Sequence, residues 1–323
     1  MNRDALARIC AELGARVPAW VQGTGGNVSV KLPGPRGGTL AVKESGVRLD
    51  SVGPDRGLID VPLAPLREAL ARISGDGPDA LAAYEEAVAG AARGRSRPSM
   101  EAGFHALLPR PLVVHLHSLA AIAMAEEHAR DPAGVAAFLD RHTAWRVAFV
   151  PPVVPGWPLA RALAAFADAD AVVLGGHGVV IQSDDAGRVT AWADVERDFC
   201  AAFGLPTLHA LLDPAATPAT AASMLAAPRP FRALFPDAAV FGRRVRRVVV
   251  RAPDPGAQGF VLAPGAFEAD RDAAETWLAI AALLADRPAL PALPEEVCAT
   301  ACGLPAEAYR RRVGAERTAG GTA

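Results

Sequence analysis

The order of apolar and polar residues along the chain predicts many short elements rather than a regular repeat. Apolar residues spaced three and four apart indicate helices, whereas alternating residues and short apolar runs indicate strands. Because the two kinds of element do not alternate with the spacing of a barrel or a Rossmann sheet, we expect a layered α/β sandwich with a largely antiparallel sheet. Strands are expected over 28–31, 39–43, 58–61, 112–117, 147–150, 171–174 and 179–182. Helices are expected over 3–15, 63–73, 78–92, 98–108, 119–130, 132–141, 158–168 and 188–203.

A stretch rich in alanine and proline, residues 215–230, predicts a boundary in the chain. We therefore expect one larger domain over 1–214, followed by a small α+β extension over 231–316. The elements expected in and after this extension are strands over 239–241, 247–250 and 259–262, a helix over 271–285, a charged tail around Tyr309 and disordered residues over 318–323.

Composition and charge restrict the possible partners. The 323 residues carry a formal net charge of −2, and 51% of them are hydrophobic, which is typical of a globular chain. The densest basic run, Arg243 to Arg247, alternates into valines and is typical of an exposed strand edge, so we expect no nucleic-acid partner. No segment approaches an uncharged membrane span, and the N-terminus lacks the apolar core of a signal peptide. The absence of such a span predicts no membrane partner. Four scattered cysteines form no CxxC pair, so we expect a reducing, cytoplasmic location.

Two histidines two positions apart, His115 and His117, lie in the strand expected over 112–117. Side chains of a strand alternate between faces, so both imidazoles project from the same side and can bind one metal. Two hydrogen-bonded core histidines would explain this pair equally well. His177 lies in a turn flanked by glycines, where the backbone can aim one side chain, although alone it would be an exposed turn residue. Three imidazoles with an open fourth position are typical of catalytic zinc, so together they predict a zinc site, with another divalent transition metal as the alternative.

An acidic residue, Glu101, lies in the first turn of the helix that leads into the histidine strand. The helix dipole favours an acidic residue at such a position whatever its function. Because this helix runs directly into the strand, the carboxylate can also reach the open side of the metal and act as a base beside a carbonyl group. His105, one helical turn later, is a rival ligand or base, or a histidine of the core or the surface.

Three loops contain small residues of the kind that bind anions. The first, residues 23–29, precedes a strand rather than a helix, so it is neither a Walker loop nor a dinucleotide fingerprint. A plain turn would explain this loop alone, whereas free amides and hydroxyls in all three loops together predict a phosphate site. Lys43 adds a positive charge there or is a solvated strand lysine. The candidate residues are Gly26, Asn27, Ser29, Lys43, Ser45, Gly46 and Ser99.

Taken together, these motifs resemble the class II aldolase/adducin family. They occur in the order of the family between about residues 5 and 210. The short spacing from Glu101 to His115 and the tail after residue 225 are most similar to the aldolase part of bifunctional rhamnulose-phosphate aldolase/dehydrogenase proteins. The motifs that carry the resemblance are Gly26-Asn27-Val28-Ser29, Ser45-Gly46, Pro98-Ser99-Met100-Glu101, His115-Leu116-His117 and His177-Gly178.

The resemblance implies a three-layer αβα sandwich and a site near a subunit boundary in a homotetramer or other homo-oligomer. Two positions depart from the family pattern. Met100 stands where many relatives have a second serine, and the tyrosine that protonates the aldehyde oxygen in fuculose-phosphate aldolases has no clear counterpart. The implied roles are zinc binding by His115, His117 and His177, acid/base catalysis by Glu101, and phosphate binding by Asn27, Ser45, Gly46 and Ser99.

The expected reaction cleaves a ketose 1-phosphate into dihydroxyacetone phosphate and a small aldehyde, or forms it from them. It proceeds through a metal-stabilised enediolate. Two alternatives stay open. In the first alternative, the same site belongs to a sugar-phosphate 4-epimerase or a decarboxylase, although epimerases of the family tend to have Asp where Glu101 stands. The other alternative is a non-catalytic, adducin-like scaffold, which needs no metal triad.

Overall fold

The structure of the protein is a computed structural model. It describes residues 2–17, 19–92, 96–204, 232–241, 250–251, 261–262, 272, 275–276, 279–280, 283–284, 287 and 290–320. The strands are β1 (Asn27–Leu32), β2 (Thr39–Lys43), β3 (Leu58–Pro62), β4 (Leu112–Leu116), β5 (Val147–Val150), β6 (Ala171–Leu174), β7 (Gly178–Ser183), β8 (Val250–Arg251) and β9 (Val261–Leu262). The helices are α1 (Arg3–Gly14), α2 (Leu63–Ala71), α3 (Pro78–Gly90), α4 (Ala102–Leu107), α5 (Leu119–Arg130), α6 (Pro132–His142), α7 (Trp157–Ala164), α8 (Ala186–Thr190), α9 (Trp192–Ala202), α10 (Pro236–Val240), α11 (Glu295–Gly303) and α12 (Pro305–Gly320).

The first seven strands form one sheet in the order β3-β2-β1-β4-β7-β6-β5. Every neighbouring pair in this sheet is antiparallel except β5 and β6, which are parallel. The expected largely antiparallel α/β sheet is therefore confirmed. Strand β4 is central, and all five of its residues are buried, which explains why its sequence is almost entirely apolar.

Helices cover both faces of this sheet. On β4, Leu112, Val114 and Leu116 pack into one apolar cluster with residues of α1, α5 and α9. Val113, between them in sequence, packs into a second cluster with residues of α2, α3, α4 and α7. This alternation follows from the period of two in a strand. Two apolar clusters separated by one sheet form the expected three-layer αβα sandwich.

The described part of the C-terminal extension packs against the first of these clusters. Phe235 and Ala239 are buried in it. Ion pairs also attach the extension to Arg48, which follows β2. Arg48 Nη1 lies 2.6 Å from Asp272 Oδ1, and Arg48 Nη2 lies 3.0 Å from Glu275 Oε1. Glu275 Oε2 also accepts the backbone N–H of Gly23 at 2.7 Å. The extension is thus attached to the loop that precedes β1.

Several elements differ from the expectation from sequence. The helix expected over 98–108 begins only at Ala102, because Pro98 pairs with Glu44, so Glu101 precedes the helix instead of lying in its first turn. The strand expected over 239–241 is wrong, because Pro236–Val240 forms helix α10, and proline favours the first turn of a helix. The helix expected over 188–203 is two helices, α8 and α9, which meet at Ala191. Helix α12 continues to Gly320, so residues 318–320 are helical rather than disordered.

Several expectations lie outside the described residues. These are the boundary over 215–230, the basic run at 243–247, the strands over 247–250 and 259–262 apart from Val250, Val261 and Leu262, and the end of the chain over 321–323. The described members of the segment from 272 to 284 are helical, as expected. Within the described part of the chain, we find no helix with both the length and the apolar character needed to cross a membrane.

A buried carboxylate joins α9 to the N-terminal part of the chain. Glu196 is fully buried and accepts hydrogen bonds from Trp20 Nε1, Ser118 Oγ and Trp192 Nε1. Burial raises the pKa of Glu196 to about 7, although these three donors act in the opposite direction. The folded protein therefore binds a proton here at pH values where the unfolded chain does not.

We expect Glu196 to make the free energy of unfolding fall as pH rises. The raised pKa of Glu196 contributes roughly 3 kcal/mol to the free energy of unfolding. This contribution is fully present below the ordinary carboxyl pKa of about 4.5 and is lost by about pH 7. The Glu196→Gln variant lacks this titration, so its stability relative to the wild type should increase between these two pH values and then stay constant. Urea denaturation at a series of pH values measures the difference. A difference that does not vary with pH would contradict the prediction.

Candidate metal and anion site

The register of three strands places His115 at the centre of the candidate site. His115 on β4 lies opposite Asn27 of β1 and Val180 of β7. Its ring is buried, and its Nδ1 lies 3.1 Å from the carbonyl oxygen of Val179. Because a carbonyl oxygen only accepts, Nδ1 carries the proton and Nε2 keeps a free lone pair. His115 therefore offers Nε2 as a ligand atom.

Two more imidazoles approach His115, one from the end of β4 and one from the turn between β6 and β7. His117 directly follows β4, and His177 ends the turn between β6 and β7, which form the antiparallel hairpin expected from the sequence. The next residue, Gly178, has φ +136°, and a Cβ atom there would clash with the carbonyl oxygen of Leu116. Glycine thus allows β7 to start close to β4 while the turn aims His177 at the other two rings. The three ring centroids lie 4.8, 4.9 and 5.2 Å apart.

The three rings fit a divalent metal. One nitrogen of each ring lies within 4.8 Å of the others. In the described part of the chain, His115 Nε2 and His177 Nδ1 are buried without a hydrogen-bond partner, a costly arrangement unless an ion or other group binds there. Burial lowers the pKa of His115 and lowers that of His177 still further, and the neighbouring histidines add to both shifts. The neutral imidazole that results is the form that binds metals.

Glu101 lies on one side of this cluster, immediately before helix α4. Its Oε2 is 3.6 Å from His115 Nε2, and its Oε1 is 3.7 Å from His177 Nε2. Asn27 Nδ2 donates a hydrogen bond to Oε2 at 2.5 Å. The carboxylate is therefore held in a fixed orientation beside the three imidazoles, with Oε1 turned toward His177.

His105 contacts Asn27 and Ser29 and is not one of the three clustered histidines. Its Nδ1 lies 2.7 Å from Ser29 Oγ, and its Nε2 contacts Asn27 Oδ1. Burial lowers the pKa of His105 well below its usual range, so the ring is neutral. Nε2 then donates to the Asn27 oxygen while Nδ1 accepts from Ser29. His105 thus orients Asn27, and the hydroxyl of Ser29 is directed to His105 rather than to a ligand.

A cleft beside the cluster brings together most of the candidate residues from the sequence. Its walls do not include Ser29, which bonds to His105, or His115, which lies deeper. Ser45 and Ser99 are close together because their segments pair, with Ser99 N–H donating to the Lys43 carbonyl at 3.1 Å. The candidate residues that line the cleft are Gly26, Asn27, Lys43, Ser45, Gly46, Ser99, Glu101, His117 and His177.

Lys43 contributes a positive charge to the cleft wall from a fully buried position. Its Nζ donates hydrogen bonds to the carbonyl oxygens of Thr24 at 3.0 Å and Val47 at 2.6 Å. Burial, and then repulsion from Arg310, lowers the pKa of Lys43 to about 8. Lys43 is therefore not the solvated strand lysine that was one alternative from the sequence.

The C-terminal extension adds three charged side chains to the cleft that the sequence did not indicate: Asp237, Glu307 and Arg310. Arg310 Nη2 donates to Asp237 Oδ1 and lies 2.9 Å from Glu307 Oε2. Burial opposes the ionisation of Asp237, but Arg310 and His117 hold its pKa below the usual range, whereas burial raises the pKa of Glu307 to about 7. No local pattern signals these residues, because their contacts with the cluster are all long-range.

A comparison with known families matches more than half of the chain. Residues 4–202 match the family described as Class II Aldolase and Adducin N-terminal domain. The chain belongs to this family. The match includes the three histidines and Glu101 and ends before the extension that carries Asp237 and Arg310. A comparison with curated proteins finds no match.

Solved structures of class II aldolase proteins are similar to this chain. The N-terminal class II aldolase domain of a conserved protein from Thermoplasma acidophilum has a TM-score of 0.52 and 22% identity, over 63% of this chain and 94% of that one. This similarity supports the fold. YgbL from Klebsiella pneumoniae has a TM-score of 0.43 and 24% identity, over 64% and 91% of the two chains. L-fuculose-1-phosphate aldolase from Thermus thermophilus has a TM-score of 0.41 and 19% identity, over 62% and 91%.

We expect the His177→Ala variant to lose its bound metal, because two imidazoles bind a divalent ion much less tightly than three. After loading with Zn²⁺ and dialysis, elemental analysis should find about one metal per wild-type chain and almost none in the variant. His142→Ala is the matched control, since His142 is an exposed histidine that lies 3.8 Å from Asp198. Equal metal contents in His177→Ala and the wild type would contradict the assignment.

Proposed function

We propose that the protein is a zinc-dependent class II aldolase that forms or cleaves a carbon–carbon bond in a small ketose 1-phosphate. Cleavage gives dihydroxyacetone phosphate and an aldehyde, and the reverse reaction joins them. The observation that carries this proposal is the position of Glu101, whose two carboxylate oxygens lie 3.6 and 3.7 Å from nitrogens of His115 and His177. A base in this position can act on a carbon atom next to a carbonyl group that the metal polarises. Membership in the class II aldolase and adducin family supports the proposal.

The donor set favours zinc among the divalent ions. Three neutral imidazoles with an open fourth position are typical of catalytic zinc sites. When bound, zinc supplies a Lewis acid that polarises a carbonyl oxygen and makes the neighbouring C–H more acidic. The chain contributes rigidity, because the Val179 carbonyl fixes the His115 ring and the turn before Gly178 fixes His177.

Glu101 is the group that moves the proton in this proposal. Asn27 donates to Oε2, so Oε1 is the oxygen that takes a proton from the substrate carbon in bond formation. The aldehyde oxygen becomes an alkoxide in the same step and takes up a proton from solvent, and in cleavage both proton transfers run in reverse. His105 keeps the Asn27 amide in the orientation that this requires. Glu101 is 6% exposed, which limits the access of water to the carboxylate and to the carbanion formed beside it.

The phosphate of the substrate is proposed to bind beside the end of β2. Ser45 and Gly46 follow β2, and Ser99 lies beside them in the cleft. The hydroxyl groups of Ser45 and Ser99 can donate hydrogen bonds to phosphate oxygens from this position. Lys43 places a buried positive charge in the same wall, which favours a doubly charged phosphate.

Replacing the acid/base should abolish turnover and leave the metal in place. We expect Glu101→Gln to lower kcat for aldehyde release from a ketose 1-phosphate by about 10²–10⁴-fold, because the amide cannot accept the proton. A panel of ketose 1-phosphates, with a coupled assay for dihydroxyacetone phosphate, measures kcat, and elemental analysis measures zinc. Glu68→Gln, at an exposed position of α2, should be unaffected. A Glu101→Gln protein with zinc and full activity would exclude this role.

Replacing Ser45 should weaken the binding of phosphorylated substrates selectively. We expect Ser45→Ala to raise KM for a ketose 1-phosphate by about tenfold, because one hydrogen bond to a charged group is lost. The exposed Ser51, which donates to Asp50 at 3.1 Å, supplies the control Ser51→Ala. Steady-state kinetics with the phosphorylated ketose and with its unphosphorylated counterpart separate the two effects. Equal changes in KM for both substrates would show that Ser45 does not bind the phosphate.

A further inference from the structure

A carboxylate of the C-terminal extension lies behind one of the three imidazoles. Asp237 on α10 is 3% exposed, and its Oδ2 lies 3.3 Å from His117 Nδ1. Neither atom has a hydrogen-bond partner elsewhere in the described chain. The distance is slightly longer than a usual N–H···O hydrogen bond, so a small rotation of either side chain is enough to form one.

The backbone and a cation hold Asp237 in this position. A Cβ atom at Gly25 would lie 2.6 Å from Asp237 Oδ2 and 2.7 Å from His117 Nδ1, so the glycine loop packs directly over the two atoms. The other carboxylate oxygen, Oδ1, accepts a hydrogen bond from Arg310 on α12. Because Arg310 occupies Oδ1 and the loop encloses the pair, Oδ2 remains directed at the imidazole.

The two nitrogens of an imidazole cannot bind the same metal ion. When one nitrogen is a ligand, the other carries a proton and needs an acceptor, usually a carboxylate or a backbone carbonyl. For His115 this acceptor is the carbonyl of Val179. For His117, the group in the corresponding position is Asp237, which leaves Nε2 as the nitrogen that faces the metal.

We propose that Asp237 is a positioning residue for the metal site, whose carboxylate accepts the Nδ1 proton of His117 and fixes that ring with Nε2 toward the metal. The proposal rests on the three-histidine metal site of the proposed function, but not on the reaction. It assigns a role to a segment beyond the family match, which ends at residue 202. The extension thereby becomes part of the machinery that binds the metal.

A direct bond from Asp237 to the metal is a different arrangement. The group of side chains whose ligand atoms lie within 4.8 Å of one another consists of the three histidines, without Asp237. In addition, Oδ2 approaches His117 at Nδ1, and a histidine that binds a metal through one nitrogen commonly donates the N–H of its other nitrogen to a carboxylate. The contacts therefore favour support of His117 over direct binding.

Metal affinity tests the proposal without any measurement of activity. In the full-length protein, we expect Asp237→Ala to weaken Zn²⁺ binding by about 10- to 100-fold, measured by competition with a chromophoric chelator. Asp237→Asn should weaken it less, because the amide oxygen can still accept from Nδ1–H. The absorption spectrum of the Co²⁺-loaded protein should keep the same coordination geometry in both variants, since no ligand is removed.

The matched control separates support of His117 from attachment of the extension. Glu275→Gln weakens the ion pair of Glu275 with Arg48, through which the same extension is attached. We expect this variant to lower Tm and to leave Zn²⁺ affinity within about twofold of the wild type. If Asp237→Ala does not fold, Asp237→Asn carries the comparison alone.

Three results would overturn the proposal, and they differ in what they imply. Unchanged Zn²⁺ affinity in Asp237→Ala and Asp237→Asn would remove the positioning role and leave the proposed function intact. A change of coordination geometry in the Co²⁺ spectrum would show that Asp237 is itself a ligand. A wild-type protein that binds no divalent metal would overturn both this proposal and the proposed function.

A reciprocal measurement gives an independent readout. If Asp237 supports the metal through His117, the metal must in turn stabilise the position of α10. Hydrogen exchange of residues 236–240 should therefore slow when Zn²⁺ is added to the wild-type protein. The same residues should show no such slowing in Asp237→Ala, and identical protection in the two proteins would count against the coupling.

Discussion

The antiparallel pairing of β4 with β1 and β7 is the constraint on which the site depends. It sets Asn27 opposite His115, and it brings the carbonyl of Val179 within reach of His115 Nδ1. A slip of one residue in this register would turn His115 to the opposite face of the sheet. The register is secured by the apolar residues that alternate along β4, because each face of the sheet packs against its own helical layer. The packing of the core therefore determines which nitrogen of His115 faces the cluster.

Local patterns were sufficient to predict the parts of the site that depend on a short stretch of chain. The two-residue spacing of His115 and His117 predicted a common direction, and the glycines around His177 predicted the hairpin turn. The hydrogen bonds from His105 through Asn27 to Glu101 could not be predicted, because they join α4 to β1 across more than seventy residues of sequence. For the same reason, the sequence left the role of His105 open among a ligand, a base and a core residue.

The extension shows where sequence patterns fail in this chain. The short apolar run at 239–241 fits a strand and a helix equally well, and the preceding Pro236 was the available signal for a helix start. Asp237 and Arg310 carry no pattern of their own, because each is significant only through its partner in the folded protein. Their positions follow from packing of the extension into the same apolar cluster as α1 and α5. Tertiary contacts alone bring these two residues to the cleft.

Arg310 follows His177 by 133 residues, and it still lines the same cleft. During synthesis from the N-terminus, the sheet and all three imidazoles exist before α12 has been made. A nascent chain at this stage lacks Arg310, so Asp237 is not yet paired with the guanidinium. The cleft thus acquires the walls formed by Asp237 and Arg310 only after the three imidazoles have been made.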